Sequence, residues 1–226
     1  MNSFSVITAI VPSPRKPGRF AVSVDGDEIG TLSIEAIERL RLAVGGRVDD
    51  RLRLAIDQEA AILATYDRAL NMLAARARSS TELRRLLIRK GEPANQVDVA
   101  IDRLRTVGFL DDAAFARQFT RSKAVGGGLS RRRVQQELSK RGVAREVSDD
   151  AIEEVFTEEQ VDEDASIERI ARKKLRTLGK LEPAVQRRRL YGFLARRGYD
   201  ADDIARVLRI VLAADSDDEE SEQTDD

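Results

Sequence analysis

Three stretches of this chain fall on one pattern when aligned on Gly91, Gly142 and Gly198, and that repeat constrains the fold more than any other feature. Eight and four residues before each Gly stand Leu83 and Leu87, Val134 and Leu138, Leu190 and Leu194. Nine, ten and thirteen residues after it stand Ala100, Ile101 and Leu104; Ala151, Ile152 and Val155; Val207, Leu208 and Val211. Every one of these positions is apolar in all three copies. Spacings of three and four place such residues on one helical face. The Gly suits the left-handed position just past a helix end. The basic pair before it (Arg89-Lys90, Lys140-Arg141, Arg196-Arg197) complements the negative end of the helix dipole.

Each copy therefore reads as helix, Gly stop, helix. A further helical stretch precedes each one: Ala60 to Ala77, Ala113 to Ala124, and Ala165 to Leu178. Ser79 with Glu82 makes a capping box, Asp111, Ser130 and Asp200 supply further caps, and Pro93 and Pro183 suit a first turn. Ahead of the repeat, residues 4–11 and 19–24 are rich in β-branched and aromatic residues. Asp25-Gly26 signals a hairpin, and residues 28–32 make a third strand. Ser33 then caps a helix carrying Ile34, Ile37, Leu40 and Leu42. The expected fold is mainly α: a small β-meander plus helix (1–58), three tandem three-helix units (59–110, 111–158, 159–212) and a disordered acidic tail (213–226).

Composition narrows the chemistry. The chain has no His and no Cys among 226 residues. That excludes Ser-His-Asp and Cys-His catalysis, thiolate zinc sites and disulfides. The net charge of −1 hides strong segregation. Residues 66–148 carry 18 basic and 9 acidic groups, and residues 165–212 carry 13 and 5. Residues 149–164 carry 9 acidic groups and residues 213–226 carry 8, with no basic residue in either. Prolines interrupt the N-terminus, so no signal peptide is expected, and no apolar run is long enough to span a membrane. A cytoplasmic protein is expected.

The stretch from Tyr66 to Val143 resembles the RecX family. It carries Arg76-Ala77-Arg78-Ser79 with Glu82-Leu83, then Gly108-Phe109-Leu110-Asp111-Asp112 with Phe115-Ala116, then Glu137-Leu138 and Arg141-Gly142-Val143. Lys174-Leu175 and Phe193 to Tyr199 extend the likeness through the third unit, to about residue 211. The chain departs from the pattern at Gly126-Gly127-Gly128-Leu129, where many members carry Gly-Pro. The resemblance implies a non-enzymatic, generally inhibitory regulator of the RecA recombinase. Such a regulator lies along the groove of the RecA–DNA filament and acts in DNA repair, recombination and the SOS response. It implies no cofactor, metal or small-molecule substrate.

The residues themselves offer several readings. Asp111-Asp112 reads as a helix cap in preference to a metal or acid/base pair. The Gly126–Gly128 triplet reads as a flexible link, since no Gly-Lys-Ser/Thr follows it. Phe115 and Phe119 read as core in preference to a base-stacking platform. The candidate surface for a polyanion or filament is basic: Arg117 and Arg121; Arg131, Arg132, Arg133 and Lys140; Arg169, Arg172, Lys173 and Arg176; Arg189 and Arg196. Glu137 is expected to pair with Arg133 and Arg141, whereas the Arg169–Arg176 face is expected to lack an acidic partner. Single- or double-stranded DNA is a further expected partner. The rival reading is a helical DNA-binding protein or transcription regulator acting on DNA directly. The acidic tail reads either as a competitor for the basic faces or as a solubilising end.

Overall fold

The computed structural model describes residues 5–14 and 16–222, with side chains through 213. Phe4, the first residue of the expected first strand, lies outside them, and so do the side chains of the acidic tail beyond Ala213. The chain divides into two compact units, residues 1–111 and 112–226.

The first unit opens with strands β1 (Ser5–Pro12), β2 (Arg19–Val24) and β3 (Asp27–Ser33). Between β2 and β3, Asp25 and Gly26 both take positive φ, 52° and 95°, which matches the twist that a two-residue hairpin needs. Ser33 caps helix α1 (Ile34–Arg39) by accepting from the Ala36 amide. A two-residue strand, β4 (Arg47–Val48), was not apparent in the sequence pattern. It pairs antiparallel with β1, giving a sheet of order β3-β2-β1-β4.

Helix α2 (Asp50–Ala75) is one continuous element, so residue 58, the expected end of the first domain, falls inside a helix. Its first half places Ile56, Leu52 and Ala60 against the sheet core of Ile7, Val22 and Leu32. Gly30 permits that approach, because a Cβ there would lie 2.9 Å from Ala60 Cβ. The second half joins α3 (Ser80–Arg89) and α4 (Ala94–Thr106) in a bundle around Leu83, Leu87, Val97 and Leu104. The Glu82 amide donates to Ser79 Oγ at 3.1 Å, as a cap requires. The Glu82 carboxylate pairs with Arg76 and Arg78. Pro93 stands at the N-cap of α4, one position earlier than expected.

The second unit holds two three-helix bundles. The first comprises α5 (Asp112–Thr120), a π-helical turn (Arg121–Val125), α6 (Arg131–Lys140) and α7 (Arg145–Glu158). Its core contains Phe115, Val134, Leu138 and Ile152, with Phe119 partly buried beside them. The second comprises α8 (Glu163–Leu175), α9 (Pro183–Arg196) and α10 (Ala201–Glu222) around Ile167, Leu190, Leu194 and Val207. Pro183 takes the first turn of α9 as expected. The backbone of α10 stays helical to Glu222, past residue 212 where the last three-helix unit was expected to end. The repeat glycines Gly91, Gly142 and Gly198 all adopt left-handed φ (92°, 75° and 92°), so each stops its helix as the pattern requires.

Candidate nucleic-acid and partner interface

The candidate cations separate by what they touch. On the first bundle of the second unit, most face the acidic helix α7. Arg117 pairs with Glu154 at 3.6 Å, and Arg121 pairs with Glu159 at 2.6 Å and Glu158 at 2.9 Å. The Glu159 hydrogen bond raises the Arg121 pKa further above its ordinary value. Arg131 meets Glu153 at 2.6 Å and Glu163 at 3.8 Å, and stacks over Phe156 with its guanidinium 4.3 Å from the ring centre. Its hydrogen bond holds the Glu153 carboxyl below the usual glutamate range. The acidic run 149–164 is thus in large part a counter-charge to the neighbouring basic block.

Glu137 gathers Arg133 at 2.8 Å, Arg141 at 3.0 Å and Lys140 at 3.3 Å. Partial burial pushes its pKa up, but the Arg141 and Lys140 hydrogen bonds and the Arg133 charge outweigh that and hold it low. Arg141 also lies 4.5 Å over the Phe119 ring, which sits 6.0 Å from Phe115. This pair packs as core, as the helical spacing predicts.

The third bundle differs. Arg169 and Lys173 on α8 and Arg176 at its C-cap are exposed, share one face, and have no ion pair among the described residues. Arg172 on the same helix does have one, with Glu168 at 2.6 Å. The expectation of a stripe without an acidic partner is therefore corrected. Glu168 precedes Arg172 by one helical turn, the spacing that brings such side chains together. On α9, Arg189 and Arg196 are exposed with no ion pair among the described residues, and so are Arg187 and Arg188, which sequence reasoning missed. Arg209 on α10 was missed as well. Carrying the repeat alignment to its polar positions would have found all three.

The Gly126–Gly128 triplet is not a loose link. It receives the third bundle. Arg197 donates to Gly127 O, and Tyr199 Oη donates to Gly128 O at 3.3 Å. The Ser130 amide donates to Arg197 O at 3.1 Å. A Cβ on Gly128 would lie 2.9 Å from Ile170 Cγ2, and Gly128 holds φ at +62°. A Cβ on Gly198 would lie 2.5 Å from Arg133 Cβ and 2.6 Å from Ser130 Oγ. Arg132 joins this junction by donating from Nε to Gly198 O at 3.3 Å. The Arg131 amide donates to Glu163 Oε1 at 3.0 Å, and Arg206 pairs with Asp164. Tyr199 is buried here, and desolvation, aided by Glu163, pushes its pKa up to about 12.

Among the described residues no group of three or more metal-ligating side chains converges, and no helix is long and apolar enough to cross a membrane. Three sequence models of the RecX family match in order along the chain. They are its first three-helix domain at residues 66–104, the second at 111–152 and the third at 162–208. The regulatory protein RecX of Pelodictyon phaeoclathratiforme is 34% identical over 154 residues, covering 67% of this chain and 91% of that relative. The chain belongs to the RecX family. The RecX protein of Mycobacterium avium is 36% identical over 153 residues, covering 65% of this chain and 83% of the relative. A crystal structure of a regulatory protein RecX superposes with a TM-score of 0.71 at 19% identity, covering 90% of this chain and 98% of that one. The fold is accordingly the RecX fold, and the chain's relatives are regulatory proteins.

Proposed function

We propose that this RecX-family protein modulates the RecA recombinase, in the inhibitory direction, by binding the RecA–DNA filament, and so tunes DNA repair and recombination. It acts in the cytoplasm and without catalysis. The observation that carries the reading is the cationic third bundle. Arg169 and Lys173 on α8, Arg176 at its C-cap, and Arg189 and Arg196 on α9 are exposed with no carboxylate partner among the described residues. A polyanionic partner neutralises such a surface more completely than solvent does. Arg117, Arg121, Arg131, Arg133 and Lys140 are already engaged by this chain's own carboxylates. Their part in a complex requires exchanging those partners. The RecX name of the relatives and the order of the three domain matches support the filament as the target.

Pelleting of preformed recombinase–DNA filaments tests this reading against direct action on DNA. The protein should sediment with the filament more tightly than it binds the same DNA alone. Reversal of Arg169, Lys173 and Arg176 to Glu should weaken that association by at least tenfold without changing the fold, because all three are exposed. Equal binding to filament and naked DNA would favour the rival reading.

A further inference from the structure

In the first three-helix unit the middle and last helices enclose a crevice, and the repeat gives the equivalent positions of the other two. In the first unit the crevice holds about 240 Å³ and is lined by Ser80, Thr81, Arg84, Asp98, Asp102 and Arg105, among others. Counted from Gly91, Ser80, Thr81 and Arg84 stand at −11, −10 and −7, and Asp98 and Asp102 at +7 and +11. Its charges cancel. Arg84 meets Asp98 at 2.6 Å and 3.2 Å, and Arg105 meets Asp102 at 3.4 Å and Ser80 Oγ at 3.1 Å. The same positions of the second unit are Arg131, Arg132, Gln135, Asp149 and Glu153. These cancel too. Arg131 meets Glu153 at 2.6 Å, Asp149 accepts from Arg145, and Gln135 donates to Ser148.

In the third unit these positions are Arg187, Arg188, Tyr191, Ala205 and Arg209. Both carboxylates are gone. One is replaced by a small alanine and the other by a third arginine. Arg187 and Arg209 hold the repeat positions that the ion-paired Arg131 and Glu153 hold in the second unit. Neither arginine, nor Arg188, has an ion pair among the described residues, and all three are exposed. Tyr191 is 43% exposed, one helical turn from Arg187. Two like charges at one position of a folded unit cost stability unless an anion lies between them.

We propose that this exposed face of the third unit is a nucleic-acid site. Arg187, Arg188 and Arg209 take successive phosphates of a single strand, and Tyr191 stacks on an unpaired base. The first two units, neutralised internally, do not bind the strand at the equivalent place. Planar guanidinium groups match phosphate oxygens in pairs, and an exposed ring beside them offers a surface for a base that a purely acidic protein segment would not use. This goes beyond the filament reading and needs no recombinase, so the two stand or fall separately.

The test is fluorescence anisotropy of a labelled oligothymidylate titrated with the full chain, at several salt concentrations and without recombinase. Arg187→Ala with Arg209→Ala should weaken binding by about tenfold or more. It should also reduce the slope of log affinity against log salt by about 1.4, the loss of two phosphate contacts. Arg84→Ala with Arg105→Ala removes the same net charge from the first unit's crevice and should change affinity by less than about twofold. Tyr191→Ala should weaken single-strand binding about fivefold or more and duplex binding less, and Tyr191→Phe should restore it. Circular dichroism melts establish that each variant is folded. Equal losses from the two double variants would overturn the proposal. So would an unchanged affinity in Tyr191→Ala, polyglutamate competing as well as unlabelled DNA, or no binding by the wild type at low salt.

Discussion

Gly91 and Gly198 occupy the same repeat position with the same φ of 92°, yet substitution should affect them very differently. Around Gly91 a Cβ meets nothing within 4 Å, so Gly91→Ala suffers only left-handed backbone strain, about 1 kcal/mol. At Gly198 the Cβ would lie 2.5 Å from Arg133 Cβ and 3.2 Å from Arg133 Cα. Overpacking adds to strain there, and Gly198→Ala should destabilise the second unit by roughly 2–4 kcal/mol. Urea unfolding of the two variants checks this, and equal midpoints would show that the junction yields freely. The sequence pattern reveals the shared role of both glycines, because a helix stop is a local property of the chain. It does not reveal that one of them seats a neighbouring bundle, because that contact joins Gly198 to residues more than sixty positions away. The pairing of Arg117 and Arg121 with α7 was illegible for the same reason, whereas the Glu137 cluster, built within one helix, was readable from spacing alone.

At the scale of elements, local signals were the reliable ones. The Asp25-Gly26 hairpin, the caps at Ser33, Ser79 and Ser130, and the Pro183 start of α9 all depend on a few adjacent residues. The continuity of α2 across two cores was missed, because an apolar stripe does not say which partner each half meets. The paired glutamates of α6 and α7 give a pH prediction. The carboxyls of Glu137 and Glu153 are held below the ordinary glutamate value of 4.5 by their arginine and lysine partners. A depressed folded-state pKa contributes stability above the unfolded value, and that contribution is lost as pH falls through the folded one. Thermal melts should therefore show the second unit at full stability near neutrality and losing it progressively below about pH 4.5. Glu137→Gln should be less stable than wild type at pH 7, and the gap should narrow as the pH drops. A gap that widens on acidification would contradict the assigned pairings.

Over the whole molecule, the three-unit architecture was legible because the repeat is apolar and periodic, while the charge asymmetry among the units lies in polar positions that periodicity ignores. Charge segregation predicts one more effect. Residues 213–226 carry 8 acidic and no basic groups, directly after a segment of net +8. A tethered anionic segment has a high effective concentration at nearby cations and competes with an external polyanion. Removal of residues 213–226 should tighten binding to DNA or filament, most at low ionic strength, with the gain fading as salt screens the tail. Equal binding of full-length and truncated protein at low salt would leave the tail a solubilising end.

Regulation of the recombinase is the central claim, and its most direct measurement is the rate of recombinase ATP hydrolysis on single-stranded DNA as this protein is added. The rate should fall in a saturable manner with wild-type protein. It should fall much less with the Arg169, Lys173 and Arg176 reversal variant at the same concentration. A rate unchanged by wild-type protein, at concentrations where it binds the DNA itself, would contradict the proposal and leave direct action on DNA as the better account.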